Sequence, residues 1–237
     1  KVATPPHVVD KATKLETIFD RIELIRTRME ILKRDAEIEF LKRHLNGSLP
    51  EFDKAYHESI KNIDDNIEFI ESCNIGGEFM KPELQDKISS ISKDRVVLNN
   101  NEQNILTDDE VRNLNIAKGT LLPEERDIIN DHISITIDML EKLPYPKNLK
   151  NIPEFAGGHH EKMDGTGYPK GIKGDQMSTQ AKIMAIADIY EALTAADRPY
   201  KEGKKLSQAM RIMGFMKNDY HIDEDLFEIF VQSSVYK

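Results

Sequence analysis

The sequence predicts an all-α protein carrying a long antiparallel helical hairpin, on three observations. From Thr13 to Leu45, apolar residues recur at alternating four- and three-residue steps through Ile18, Ile22, Ile25, Met29, Leu32 and Ala36, the seam of a coiled coil. A second run of the same kind, Phe52, Tyr56, Ile60, Ile63, Ile67 and Ile70, follows a helix stop at Asn46-Gly47 and a turn at Ser48-Leu49-Pro50. No segment alternates between apolar and polar residues strongly enough to predict a sheet.

Two such helices joined by a short loop fold back on each other. The first would be about 48 Å long at 1.5 Å per residue and should project from a compact domain. Glu30 with Arg34 and Glu39 with Arg43 fall at i,i+4 and add modest support on its surface. Between Cys73 and Leu106 the pattern weakens, and Gly76-Gly77, Pro82 and Asn99-Asn100-Asn101 suggest a short helix flanked by loops. Thr107 with Glu110 is a capping-box signature, so a helix should open there. Pro123 with Glu124 and Glu125 marks another start, with the helix running to about Leu143 before Pro144 and Pro146 end it. Further helices are expected over 178–195, 207–217 and 224–231.

At 237 residues the chain can hold one large domain or two small ones, and 39% hydrophobic with 32% charged residues describes a globular, helix-rich protein. A net charge of -9 repels phosphate backbones and argues against broad nucleic-acid binding. A small phosphorylated ligand stays possible where cations gather locally. The single cysteine, Cys73, rules out an internal disulfide and suits a reducing, cytoplasmic setting. No apolar run approaches the roughly 20 residues that span a bilayer, so membrane contact would have to come from a region upstream of Lys1.

The stretch richest in chemistry is His159-His160-Glu161-Lys162-Met163-Asp164-Gly165-Thr166-Gly167-Tyr168-Pro169. Neutral imidazole is the commonest metal ligand, and two in a row can serve neighbouring ions if the backbone is irregular. Gly165, Gly167 and Pro169 supply the irregularity. Asp188 falls mid-helix beside Met184, Ala185, Ala192 and Ala195, where a buried carboxylate would need a cation or donors. A metal fits that need. Mixed imidazole and carboxylate ligands suit iron, manganese or zinc alike. His132, in sequence beside Ile128, Ile129, Ile135, Thr136 and Met139, would alone be read as a core histidine; His7, His44, His57 and His221 have no such context and are read as structural or exposed.

This stretch resembles the signature of the HD-GYP family, the cyclic-dinucleotide phosphodiesterase branch of the HD metal-dependent phosphohydrolases. The resemblance continues in Ala187-Asp188-Ile189-Tyr190-Glu191-Ala192-Leu193-Thr194, in Asp197-Arg198-Pro199-Tyr200-Lys201, and upstream in 122–132, a helix that in the family delivers one more histidine ligand. The proline that often follows that histidine is Ile133 here. The match is close over roughly 113–205. It implies an HD-domain helical bundle in which His132, His159, His160 and Asp188 hold divalent metals, two or more in the complete protein, and a metal-activated water cleaves cyclic di-GMP or a related cyclic dinucleotide. Arg198 and Lys201 match the family's phosphate-contacting residues, and Tyr168 either stacks on a base or packs the turn. Lys1-Val2-Ala3-Thr4-Pro5 reads like the residues after the family's His-Asp pair, with Lys1 as the motif's lysine near the scissile phosphate. That pair is not in the sequence, so the expectation is a fragment inactive as given.

On the family's plan, residues 1–10 are the remnant after the His-Asp motif, 11–112 a helical insertion with the coiled-coil arm, and 113–237 the HD-GYP core. An arm of this kind is favoured as a homodimerisation device over a plain hairpin packed on the core. Two other readings stay open: a catalytically silent module that signals by ligand binding or dimerisation, and a hydrolase for another phosphoester.

Overall fold

The computed structural model describes residues 4–45, 50–77, 79–195 and 203–236, with backbone alone for 50–52. Among them are eleven α-helices and one two-stranded hairpin, so the chain is all-α as expected. It divides into two compact units. An arm unit comprises Pro5–Arg126, and a site unit comprises Thr4 with Asp127–Lys237. The expected boundary at residues 112 and 113 lies inside the arm unit.

The arm unit is built on α2 (Ile22–Leu45) and α3 (Pro50–Asn74), preceded by the short α1 (Pro6–Val9). Three cross-helix pairs fix the register: Arg26 with Glu71, Lys33 with Asp64, and Phe40 stacked on Tyr56 at 4.5 Å. Partner numbers fall as α2 numbers rise, which defines an antiparallel hairpin. The turn assigned to Asn46-Gly47-Ser48-Leu49 lies outside the described residues.

Two expectations about this arm need correction. Its first helix starts at Ile22 rather than Thr13, so its 24 residues span about 36 Å. The cause is a polar knot that sequence periodicity could not show. Asp20 accepts from Ile22 N at 3.0 Å, from Thr13 Oγ1 at 2.7 Å and from Asn74 Nδ2 at 2.9 Å, while Leu15 N donates to Asn74 Oδ1 at 2.8 Å. An aspartate two residues ahead of an amide is an N-terminal stop signal, and here it ties the start of α2 to the end of α3. Ile18, expected in the seam, is consequently 91% exposed. From Ile22 onward the seam holds, with Ile22, Ile25, Met29 and Ile70 buried and Leu32, Ile63 and Ile67 packed against them.

The base of the hairpin is closed by α4 (Pro82–Ile91), by β1 (Arg95–Leu98) paired antiparallel with β2 (Asn101–Asn104), and by α5 (Asp108–Leu114). The strand pair was not expected. Asn99 and Asn100, at φ 52° and 63°, form its two-residue turn, a backbone that asparagine tolerates better than most residues. The expected capping box is present: Thr107 Oγ1 accepts from Glu110 N at 3.2 Å, and Glu110 Oε2 accepts from Thr107 N at 2.8 Å. Glu110 also pairs with buried Arg28 at 2.6 Å, so one carboxylate caps α5 and neutralises a cation of α2.

The helix expected from Pro123 to Leu143 is two, α6 (Pro123–Asn130) and α7 (His132–Glu141), with a turn at Asp131. In the site unit, α7 leads through a 3-10 turn at Lys147–Leu149 to α8 (Ile152–Gly157), then to α9 (Thr179–Thr194), α10 (Leu206–Asn218) and α11 (Glu224–Gln232). Ile186, Met213, Ile222 and Phe227 form the core shared by α9, α10 and α11. Side-chain caps at Ser178 and Asp223 start α9 and α11. α8 sits close against α7 because Gly157 has no side chain: a Cβ there would lie 2.5 Å from Ile137 Cγ1. That closeness sets where the chain leaving α8 can go.

Candidate metal centre

The chain leaving α8 goes straight into His159 and His160, while α7 opens on His132. Each of these short local features turns an imidazole toward the same point. His132 Nδ1 contacts the carbonyl of Ile129, and His159 Nδ1 lies 2.7 Å from the carbonyl of Ala156. A carbonyl can only accept, so both Nδ1 atoms carry a proton, and in the neutral ring that leaves the Nε2 lone pair free. A backbone carbonyl on the far nitrogen is the usual way a ligating histidine is oriented.

The three imidazoles converge. One nitrogen from each of His132, His159 and His160 lies within 4.8 Å of the others. His160 Nε2 stands 3.4 Å from His132 Nε2. Two nitrogens bound at about 2.1 Å to one tetrahedral ion stand roughly 3.4 Å apart, so this spacing fits a shared divalent transition metal. Burial, and after it the neighbouring His159, pushes the His160 imidazole down to about 4, with Asp188 opposing the shift. At neutral pH His160 is therefore uncharged, the form that ligates.

His160 is held in turn by its own loop. Tyr168 stacks on its ring at 4.8 Å and 14°, and Tyr168 N donates to His160 O at 3.2 Å. The chain doubles back so tightly that a Cβ on Gly167 would lie 2.4 Å from Lys162 N and 2.5 Å from Glu161 Cα. Only glycine fits there. Glu161 is 2% exposed and accepts from Lys170 N at 2.7 Å and Ile172 N at 3.1 Å, anchoring the far end of the loop. Asp164 accepts from Thr166 N and Oγ1, both at 2.8 Å, and closes the turn before Gly167. Sequence reasoning named the loop but gave Glu161 no task; the signal was a carboxylate next to two ligands and six residues before the close-approach glycine.

Other expected site residues fall elsewhere. Asp188 is exposed on α9, not buried on an apolar face, and among the described residues no carboxylate joins the three imidazoles. Its charge still reaches them, opposing the fall at His160 and adding to the upward push that burial gives Tyr168. The apolar face expected around His132 is also different: Ile128 and Met139 are 44% and 54% exposed, and Ile133 is the buried residue. His221, read as structural or exposed, is half-buried and near enough to influence His160, whereas His7, His44 and His57 are exposed. Lys1, Arg198 and Lys201 lie outside the described residues. The cleft of about 430 Å³ lined by Ile137, Glu141, Tyr145, Lys150, Glu154 and Lys170 contains none of the three histidines.

Short helices that bring three imidazoles to one point offer a donor set that suits a divalent metal. The HD domain profile matches residues 107–226, so the chain belongs to the HD domain family, and its relatives place it in the HD-GYP-type branch. It is 41% identical over 81 residues to the 3'3'-cGAMP-specific phosphodiesterase 1 of Vibrio cholerae, covering 34% of this chain and 19% of the relative. It is 39% identical over 96 residues to a cyclic di-GMP phosphodiesterase of Thermotoga maritima, covering 40% and 26%. A cyclic di-GMP phosphodiesterase of Vibrio cholerae is 33% identical over 120 residues, covering 49% and 24%. The chain thus matches a fifth to a quarter of the length of these relatives, and residues 5–106 precede the profile match.

Proposed function

We propose that the site unit hydrolyses a phosphodiester of a cyclic dinucleotide, cyclic di-GMP or 3'3'-cGAMP, with His132, His159 and His160 as metal ligands. The observation that carries this reading is the pair of facing Nε2 atoms at 3.4 Å, one of them oriented by a carbonyl on its far nitrogen. A divalent ion there, iron, manganese or zinc, would supply Lewis acidity toward the phosphate and lower the pKa of water. His132 and His159 keep their Nε2 lone pairs available because their Nδ1 protons are committed. Tyr168 holds His160 in place and bounds the substrate side of the loop, and Asp188 supplies a negative charge beside the imidazoles. Arg198 and Lys201 are assigned to the phosphates, where guanidinium offers a fork and ammonium a point charge. Lys1 is assigned to the scissile phosphate on the same family resemblance.

The test is elemental analysis together with turnover of both dinucleotides by the 237-residue chain and by His132→Ala and His160→Ala. Metal bound in proportion to protein, lost in both variants, supports the ligand assignment. Metal without turnover favours a silent binding module, a reading supported by the lack of a carboxylate among the grouped ligands. No metal in the unmodified chain sinks the ligand assignment.

The arm is proposed as a homodimerisation surface. Ile38, Leu41 and Leu45, at three- and four-residue steps on α2, are 49%, 51% and 87% exposed, an apolar stripe on a helix whose other seam is already used within the hairpin. No helix of the described residues is long and apolar enough to cross a membrane. A cytoplasmic setting is proposed on the strength of the free, buried Cys73 thiol.

A further inference from the structure

Two lysines three residues apart in the arm unit are equally buried and differently partnered. Lys11 is 3% exposed, and its Nζ meets both carboxylate oxygens of Glu125 at 2.9 Å and Asn113 Oδ1 at 3.1 Å. Lys14 is also 3% exposed, yet its Nζ donates only to Leu114 O at 2.8 Å and to the weak acceptor Met80 Sδ at 3.3 Å. Among the described residues no carboxylate pairs with it. An ammonium withdrawn from water without a counter-ion is heavily penalised, and such groups are retained where something else supplies the charge. Two of its three N–H donors are used, which leaves one.

Lys14 also lines a cavity of about 260 Å³, with Phe69, Cys73, Phe79, Met80 and Leu84 among its walls. The rim is apolar and open: Phe79 is 73% exposed and Ile75 is 69% exposed. A second ammonium, that of Lys87, stands 4.1 Å over the Phe69 ring. Burial pushes the Lys14 ammonium below its ordinary value and the Cys73 thiol above its own. A group so poised gains most from an anion brought in with its own apolar cover.

We propose that this cavity binds a small amphipathic carboxylate, its apolar body against Phe69, Phe79 and Leu84 and its carboxylate on Lys14 Nζ. One remaining donor on a single buried cation suits a monoanion; a phosphate would ask for several donors. The apolar walls exclude a strongly hydrated ligand, and the cation distinguishes an acid from the alcohol of the same length.

Cys73, the chain's single cysteine, lies in the cavity wall and reports occupancy directly. The experiment measures alkylation of Cys73 by iodoacetamide in the 237-residue chain, with octanoate or octan-1-ol added at millimolar concentration. Octanoate should slow alkylation at least tenfold and octanol far less. Lys14→Met should weaken octanoate at least tenfold and leave octanol unchanged. Ala117→Phe, which narrows the same cavity, should remove protection by both and keeps the test decisive if Lys14→Met does not fold. Equal protection by acid and alcohol, or undiminished octanoate binding by Lys14→Met, overturns the proposal, as does no protection at all. Glu78 lies outside the described residues; octanoate binding seen only in Glu78→Gln would mean that Lys14 already has its counter-ion, and would overturn the proposal too.

Discussion

The ion pairs at the base of the arm and the histidine cluster of the site unit are partnered in opposite ways. In the arm unit, Arg28 is closed off by Glu110 at 2.6 Å and Lys11 by Glu125 at 2.9 Å, with further hydrogen bonds on the remaining donors. In the site unit, three imidazoles each bring a ring nitrogen within 4.8 Å of the others, with no carboxylate grouped among them in the described residues. The contrast separates structure from chemistry. A saturated pair needs nothing further, whereas imidazoles grouped around one point keep ring nitrogens that a metal ion can take.

The largest expected effect follows on the site side. Gly167→Ala would place a Cβ 2.4 Å from Lys162 N, a contact with backbone that cannot swing away. The loop must then shift, taking Tyr168 and His160 with it. Loss of an orienting partner typically weakens metal binding roughly 10- to 100-fold, and displacement of the ligand itself should do at least as much. Metal titration of the variant beside the unmodified chain checks this, with far-ultraviolet circular dichroism expected to stay the same. An unaltered affinity would show that the loop does not position His160.

The arm side gives the next effect, and it should register on stability alone. Glu110→Ala removes the partner of a cation whose side chain is 10% exposed and removes the side-chain half of the α5 capping box, leaving the Thr107 cap itself in place. Breaking a buried ion pair from one side destabilises by about 3–5 kcal/mol, and that term dominates the loss of one capping-box hydrogen bond. Urea denaturation should show a lower midpoint with metal stoichiometry unchanged. If metal content falls in step, the two units are not independent in the way the contrast requires.

Much of this contrast was legible beforehand, and the exceptions share a cause. The seam from Ile22 to Ala36, the Thr107–Glu110 capping box, the helices near 178, 207 and 224, and the histidine loop all depend on spacing within one segment, which a sequence displays. The start of α2 depends on Asp20 meeting Asn74, and the two-stranded hairpin depends on Asn99 and Asn100 adopting positive φ between strands of four residues each. β2 reads Asn-Glu-Gln-Asn and is exposed throughout, so it offers no alternation to detect. The burial condition attached to Asp188 was not legible either: of its neighbours one turn away Ala185 is buried while Met184 is 40% exposed, and Asp188 itself is exposed. Glu161 carried a positional signal, but its task was not legible because its two amide partners come from Lys170 and Ile172, across a turn whose path only the fold reveals.

The smallest expected effect on stability should have the clearest effect on mass, and it sharpens the comparison within the arm itself. The inner seam residue Ile25 is 1% exposed, so a charge there should unfold the base of the hairpin and would say little about association. The outer stripe is the better probe. Leu41→Glu with Leu45→Glu places charges at positions 51% and 87% exposed, where substitution ordinarily changes stability by no more than about 0.5 kcal/mol. An antiparallel or parallel pairing of two arms through Ile38, Leu41 and Leu45 would, however, have to bury those charges without partners, and that opposes association. Light scattering should therefore report a dimer for the unmodified chain and a monomer for the double variant, with thermal unfolding of dilute samples nearly superimposable. A dimer of unchanged mass would remove the outer stripe from the interface, and a monomer in both would leave the arm without a second copy to bind.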